Sequence, residues 1–135
     1  MHRGLFRATG GRVGTERARA GRVGTLFLET RGHRSGERRR NAVFYVNHGD
    51  DLVVVASNAG ASKDPAWWRN LQGEPSAVVM LGAERGPVHA RQASDAELVT
   101  LWPVLVAANP NFETYRQTAN RPIPVVILER RARES

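Results

Sequence analysis

The sequence predicts an α+β domain centred on a small, mainly antiparallel β-barrel, closed or half-closed, that carries short helices. Three observations lead there. Strand-like apolar segments come in pairs joined by short turns containing glycine, which is the pattern of hairpins. Their order, β-β-β-α-β-β-α-α-β, leaves hairpins in the majority, and a small antiparallel sheet removes its open edges by closing on itself. The chain of 135 residues has no cysteine, so it reads as one domain large enough to bury a core without disulfide staples.

The first hairpin is the stretch around which the rest is organised. Thr25-Leu26-Phe27-Leu28 runs into a polar turn with Gly32, Ser35 and Gly36, and Ala42-Val43-Phe44-Tyr45-Val46 runs out of it. Asn47-His48-Gly49-Asp50-Asp51 has turn chemistry. Leu52–Ala56 is a continuous apolar strand that the pattern buries on both faces. A loop of small polar residues, Ser57–Asp64, follows. Asp64 and Pro65 read as the N-cap and first position of a short helix through Leu71. Ala77–Leu81 and Pro87–Arg91 pair around Gly82–Gly86. Ser94-Asp95-Ala96-Glu97 is a capping box before an apolar run. Pro103 is expected to end that helix at Trp102 and begin another through about Ala108, and Phe112–Gln117 adds a helical turn. Ile123–Leu128 is the last strand, where Pro124 favours an edge or a bulge.

Charge is unevenly placed. The net charge is +7, with +8 in residues 1–40 and −1 in residues 41–135. An anionic partner therefore belongs to the N-terminal third. Arg31, Arg34, Arg38, Arg39 and Arg40 crowd the first turn, and such guanidiniums suit phosphate and carboxylate; the alternative is a solvated basic turn. Residues 1–24, rich in Gly and Arg, read as an ill-ordered arm with a short helix near Leu5-Phe6. Residues 25–130 form the barrel domain and 131–135 a tail. The pentapeptide GRVGT occurs twice in the arm, too short a repeat for a solenoid. Gly10–Gly14 follows no strand and lacks dinucleotide spacing. No apolar run approaches a membrane span of about 18 residues, and the first twenty residues have no apolar core of a secretory signal. A cytoplasmic protein is expected, with the arm offering a contact to a membrane surface. Its oligomeric state, monomer or homodimer, stays open.

Several chemistries are set aside. Lys63 lies between Ser62 and Asp64, so there is no Walker loop. His2, His33, His48 and His89 have no metal-ligand spacing, and no metal is expected. Gly-x-Ser-x-Gly is absent. A nucleic-acid module would interleave aromatics on strands, whereas the tryptophans here fall in helical segments, so no nucleic-acid partner is expected.

TRGHRSGERR, VVVASNAGASKDPAWWRNL and NRPIPVVILE, with LFRATGGRVG upstream, resemble the deazaflavin-dependent nitroreductase and quinone reductase family, whose members use coenzyme F420. The likeness covers about residues 5–129. It implies a six-stranded split β-barrel of the FMN-binding kind, with the deazaflavin in a groove. It implies cofactor contacts from His33, Arg34, Ser35 and Arg39–Phe44 (Arg39, Arg40, Asn41, Ala42, Val43, Phe44). Val55, Ala56, Ser57 and Asn58 would line the ring, and Lys63 would add field. The block Ala66, Trp67, Trp68, Arg69, Asn70 would follow, with Trp67 as the wall because adjacent helical positions point about 100° apart. Phe44, Asn109, Phe112 and Tyr115 would form the substrate lid. The activity implied is hydride transfer from reduced F420 to a small conjugated acceptor, a quinone, enone or nitroaromatic. Ser57 and nearby backbone N–H groups are the candidate donors to developing negative charge, and Tyr115 the candidate proton donor. An FMN-binding or cofactor-sequestering barrel is the alternative. The sequence departs from the family at Asn58, where many members carry Lys, at Asn41-Ala42, and at Phe44, where some carry Tyr.

Overall fold

A computed structural model of the chain describes residues 15–131. Six strands close a barrel in the order β1-β2-β3-β6-β5-β4. They are β1 (Gly24–Arg31), β2 (Arg38–His48), β3 (Asp51–Val55), β4 (Ser76–Leu81), β5 (Glu84–Gln92) and β6 (Val125–Arg130). Every pairing is antiparallel. Among the described residues three helices decorate it, α1 (Ala66–Gly73), α2 (Asp95–Ala108) and α3 (Asn111–Ala119), and a 3₁₀ turn at Asn58–Gly60 leads from β3 towards α1. The barrel, its antiparallel pairing and the order of elements agree with the sequence expectation.

The two-residue period of a strand sorts side chains to two cores. On β1, Leu26, Leu28 and Thr30 are buried while Phe27 and Glu29 are half-buried on the other face. Leu26 and Leu28 join Leu52, Val54, Val79, Leu81, Val88, Val126 and Leu128 inside the barrel, where Trp67, Trp68 and Leu71 of α1 also pack. A second cluster lies outside the wall: Val53, Val55, Val125 and Ile127 meet Leu101 and Leu105 of α2 and Phe112 of α3. This explains why β3 is apolar at successive positions. Leu52 and Val54 fill the barrel, and Val53 and Val55 carry the helices.

Closure is uneven around β2. All of β1 pairs with β2, from Gly24↔Tyr45 to Arg31↔Arg38. On its other side β2 meets β3 only from Tyr45↔Val54 to His48↔Asp51. Among the described residues the Arg38–Phe44 half of β2 therefore has no strand beyond it, and a groove opens there.

Several local expectations need correcting. The first hairpin turn is shorter than the sequence suggested, so Arg31 lies on β1 and Arg38, Arg39 and Arg40 on β2. Asp64 does not cap α1: the N-cap is Pro65, with no side-chain cap, and the Asp64 carboxylate instead meets Arg121 at 2.6 Å. α2 runs unbroken through Pro103. The missing Pro103 N–H would have served the carbonyl of Val99, a residue that is 77% exposed, and the helix tolerates the loss on that solvent-facing side. The last strand starts after Pro124, whose carbonyl accepts from Ala56 N at 2.9 Å; Pro124 is at neither an edge nor a bulge. The capping box at Ser94 and Glu97 is present in both directions.

Residues 15–23 cross the barrel wall. Glu16 bridges Thr25, Ala18 N donates to the Tyr45 hydroxyl at 2.9 Å, and Gly82 N donates to Thr15 Oγ1 at 3.0 Å. A side chain at Gly24 would collide with Ala18 N, Glu16 O and the Tyr45 ring, so only glycine allows the chain to cross itself there. The expected helix near Leu5-Phe6 and the turn at Gly10–Gly14 fall outside the described residues. Among the described residues no helix is long and apolar enough to cross a membrane.

Candidate functional site

The groove beside the free half of β2 has two connected parts. One, of about 400 Å³, is walled by Asn41–Phe44, Val55, Ser57–Ala59, Pro65–Trp67, Phe112 and Tyr115. The other, of about 560 Å³, is walled by Gly32–Ser35, Arg38–Asn41, Ala66 and Asn70. Asn41 and Ala66 line both, so the two are one continuous depression.

The basic part is built on the β1–β2 turn. Gly32 N donates to Glu37 O at 2.7 Å, Gly36 N to Gly32 O at 2.8 Å, and Glu37 N to Ser35 Oγ at 3.1 Å. A buried side chain of α1 fixes this turn to the barrel. Asn70, 3% exposed, accepts on Oδ1 from His33 N at 3.0 Å and lies 2.8 Å from His33 Nδ1, while its Nδ2 donates to Thr30 Oγ1 at 3.0 Å. The 2.8 Å approach requires the imidazole proton on Nδ1. Arg39 pairs with Glu37 at 3.3 Å and Arg38 with Glu29 at 3.7 Å, with both arginines more than half exposed. Such pairs are worth little in water and can be exchanged for a ligand's anions. Arg34 makes no ion pair among the described residues, so its fork is available.

The apolar part carries an unusual backbone. Ser57 is right-handed (φ −79, ψ −26), whereas Asn58 (φ 48), Ala59 (φ 53) and Gly60 (φ 84) are left-handed. A right-handed residue followed by a left-handed one turns successive N–H groups to one side, forming a small anion-binding concavity. The N–H groups of Ser57, Asn58 and Ala59 make no hydrogen bond among the described residues, and neither does the Ser57 hydroxyl. Holding alanine left-handed costs about 1–2 kcal/mol, so something must hold it. Gly60 lies against the Tyr115 ring and Thr118, which seats the turn on α3. Asn58 Nδ2 donates to Lys63 O at 3.0 Å.

Arg121, from the segment between α3 and β6, closes the same loop. Its Nη2 donates to the carbonyls of Ala56, Ser57 and Lys63 at 3.3, 3.2 and 3.0 Å, its Nε to Ala61 O at 3.0 Å, and its Nη1 to Asp64 Oδ1 at 2.6 Å. Its side chain is only 13% exposed. Sequence reading missed this residue. The only signal was a lone arginine after Asn120, itself a left-handed helix terminator (φ 55).

α3, which brings Phe112 and Tyr115 to the groove, is tied to α2. Trp102 Nε1 donates to Glu113 Oε1 at 2.9 Å, and Arg116 stacks over the Trp102 ring at 4.9 Å. The Trp102 bond, and then the Arg116 guanidinium, hold the Glu113 carboxylate below its ordinary range.

The structure brings His33, Arg34, Ser35, Arg39, Arg40, Asn41, Ala42, Val43, Phe44, Val55, Ser57, Asn58, Ala66, Trp67, Asn70, Phe112 and Tyr115 to this groove. It does not bring Ala56, Lys63, Trp68, Arg69 or Asn109 to its walls. Ala56 and Trp68 pack in the barrel core. Lys63 and Arg69 are exposed, and Asn109 caps α2, its N–H bonded to Leu105 O at 2.9 Å.

Known proteins share this architecture. A structure described as F420-H2 dependent reductase (FDR-A) superposes with a TM-score of 0.71 at 30% identity, covering 78% of this chain and 93% of its own. A chain described as a domain-swapped dimer superposes with a TM-score of 0.72 at 28% identity, covering 91% and 96%. By sequence, an F420H(2)-dependent quinone reductase of Mycobacterium tuberculosis (strain ATCC 25618 / H37Rv) is 33% identical over 134 residues, 97% of this chain and 89% of that protein. The family model described as F420H(2)-dependent quinone reductase matches residues 1–130, and the chain belongs to that family.

Proposed function

We propose that this protein transfers a hydride from reduced coenzyme F420 to a quinone, with the groove beside β2 as its active site. The observation that carries the reading is the continuity of two unlike halves. The Arg34–Arg39 half suits the phosphate and carboxylates of a long anionic tail. The half between Val43, Val55, Pro65 and Trp67 suits a flat ring. FMN carries only a single terminal phosphate, so the extent of the basic half favours the deazaflavin.

When bound, the reduced deazaflavin supplies the hydride. The chain's own residues bind, orient and shield. Arg34, Arg39 and the turn backbone at His33–Ser35 would hold the tail. Trp67 and Val55 would wall the ring, and the free edge of β2 offers main-chain donors and acceptors to its rim. The N–H groups of Ser57, Asn58 and Ala59, with Ser57 Oγ, would donate to the oxygen on which negative charge develops, an arrangement that stabilises a transition state more than a ground state. Phe44, Phe112 and Tyr115 would cover the acceptor, and the Tyr115 hydroxyl is the candidate source of its proton.

Titration of apo-protein with the deazaflavin and with FMN, followed by tryptophan fluorescence, tests the reading, because Trp67 lines the groove. The deazaflavin should bind at least about tenfold tighter, or about 1.4 kcal/mol. Equal affinities, or no oxidation of the reduced cofactor by a soluble quinone, would refute it.

A further inference from the structure

The geometry points to Arg121 as the positioning residue that keeps the Ser57–Ala59 amides aimed into the groove. Its guanidinium is the centre around which the loop from Ala56 to Asp64 is wrapped. Carbonyls of Ala56, Ser57, Ala61 and Lys63 all turn inward to it. A peptide unit that sends its oxygen one way sends its N–H the other. Turning the Ser57 carbonyl towards Arg121 therefore turns the Asn58 N–H away from it, and the left-handed angles at Asn58 and Ala59 keep the neighbouring amides on that side. Asp64 Oδ1, 2.6 Å from Nη1, fixes the orientation of the planar fork. No lysine could do the same, because one ammonium with three donors cannot reach carbonyls on several sides in one plane.

This inference rests on the functional reading above, in which those amides serve the reacting oxygen. Arg121 lines neither part of the groove and acts only through the loop whose carbonyls it holds. Its loss should therefore lower kcat and leave cofactor affinity, set by the distant arginine turn, nearly intact.

Two variants test this. Arg121→Lys keeps the charge and removes the fork. Arg121→Gly leaves a cavity that methylguanidinium can refill. In Arg121→Lys, kcat should fall by about 10–100-fold, less than the roughly 10²–10³ cost of removing an oxyanion donor outright because the amides are misaimed rather than lost, with cofactor Kd within about threefold of wild type. Methylguanidinium should restore part of the rate in Arg121→Gly and none in wild type. In apo-protein, the amide ¹H–¹⁵N signals of Ser57, Asn58 and Ala59 should move in Arg121→Lys, while those of Val53 and Ile127 in the barrel wall stay in place. Wild-type kcat per folded molecule with unmoved loop amides would overturn the inference. So would a lost rate that methylguanidinium does not restore, accompanied by displaced barrel amides, since that is general destabilisation. If the wild-type protein failed to bind the deazaflavin, the functional reading would fall, while the apo-protein signals would still decide the role of Arg121.

Discussion

Replacing Asn70 should loosen the basic turn from the barrel at a cost that can be worked out bond by bond. Asn70 is 3% exposed and Thr30 2%, so Asn70→Ala leaves the Thr30 hydroxyl in the protein interior without its partner. An unsatisfied buried polar group costs about 1–3 kcal/mol. The His33 N–H is only part-buried and its ring is exposed, so water recovers part of what those two bonds lose. The total expected loss is about 2–4 kcal/mol of stability, readable as a lower urea midpoint at unchanged m-value. Because the turn carries His33, Arg34 and Ser35, cofactor affinity should fall about tenfold as the turn begins to sample other positions. Asn70→Asp separates the two effects. It keeps acceptors for His33 and loses only the donor to Thr30, but places a negative charge beside the anion-binding half. Stability should fall less than in the alanine variant and affinity more. Wild-type stability and affinity in Asn70→Ala would refute the anchoring role. Equal affinity in both variants would refute the electrostatic part.

Other consequences are as direct. Arg34→Ala and Arg39→Ala should each weaken cofactor binding by about 1.5–3 kcal/mol, as for hydrogen bonds to charged groups, with unchanged circular dichroism, because Arg34 lies in the exposed turn and Arg39 is an exposed side chain at the start of β2. Ser57→Ala should lower kcat by about 10²–10³. Tyr115→Phe should lower it by about 10²–10⁴ if the hydroxyl delivers the proton and leave single-turnover rates near wild type if the ring only packs on Gly60. The Glu97 carboxylate is held at about 2, chiefly by the hydrogen bonds from Arg91. Its folded value is depressed, so its contribution is fully present above the unfolded value and is lost as pH falls from about 4.5 to about 2. Glu97→Gln should flatten the acid limb of a thermal-unfolding profile over that window and leave the neutral region with the same slope.

Much of the architecture was legible because local signals and tertiary contacts agree. The Ser94–Glu97 capping box is a four-residue device, and it forms as written. The unbroken apolar run at Leu52–Ala56 correctly marks a strand covered on both faces, although β3 itself ends at Val55. Failures occur where a distant residue competes. Asp64 before Pro65 has the form of a helix cap, but Arg121, 57 positions away, takes its carboxylate. Pro103 has the form of a helix breaker, but Val99, four positions before it, is largely exposed, and α2 runs on through the proline. At the site, residue types pointed to an anionic ligand and a flat one, and most of those residues gather around one groove. No sequence pattern reveals that Ser57 is right-handed and Asn58 and Ala59 left-handed, because that turn depends on Arg121 and on the α3 surface. Trp68 was indistinguishable from Trp67 by composition; both pack in the core, and only the direction of α1 lets Trp67 line the groove as well.

On the proposed reading the two halves of the groove would hold anions by different physics, and salt should separate them. The basic half would work through exposed charges: the Arg38 and Arg39 side chains are 64% and 57% exposed. At about 0.15 M salt the screening length is about 8 Å, so each added ion weakens their hold on a polyanionic tail. The Ser57–Ala59 amides are fixed dipoles on a loop clamped by a guanidinium only 13% exposed, and they carry no net charge to be screened. Raising salt from about 0.05 to 0.5 M, with the screening length falling severalfold, should therefore raise the deazaflavin Kd while leaving the single-turnover rate of the saturated enzyme unchanged. Arg39→Ala should show a shallower dependence of Kd on salt than wild type, and Ser57→Ala the same dependence at a lower rate. If salt depressed the saturated rate in parallel with affinity, the arginines would be acting on the reacting ring itself, and the division of the groove into a charge-reading end and a dipole-lined end would be wrong.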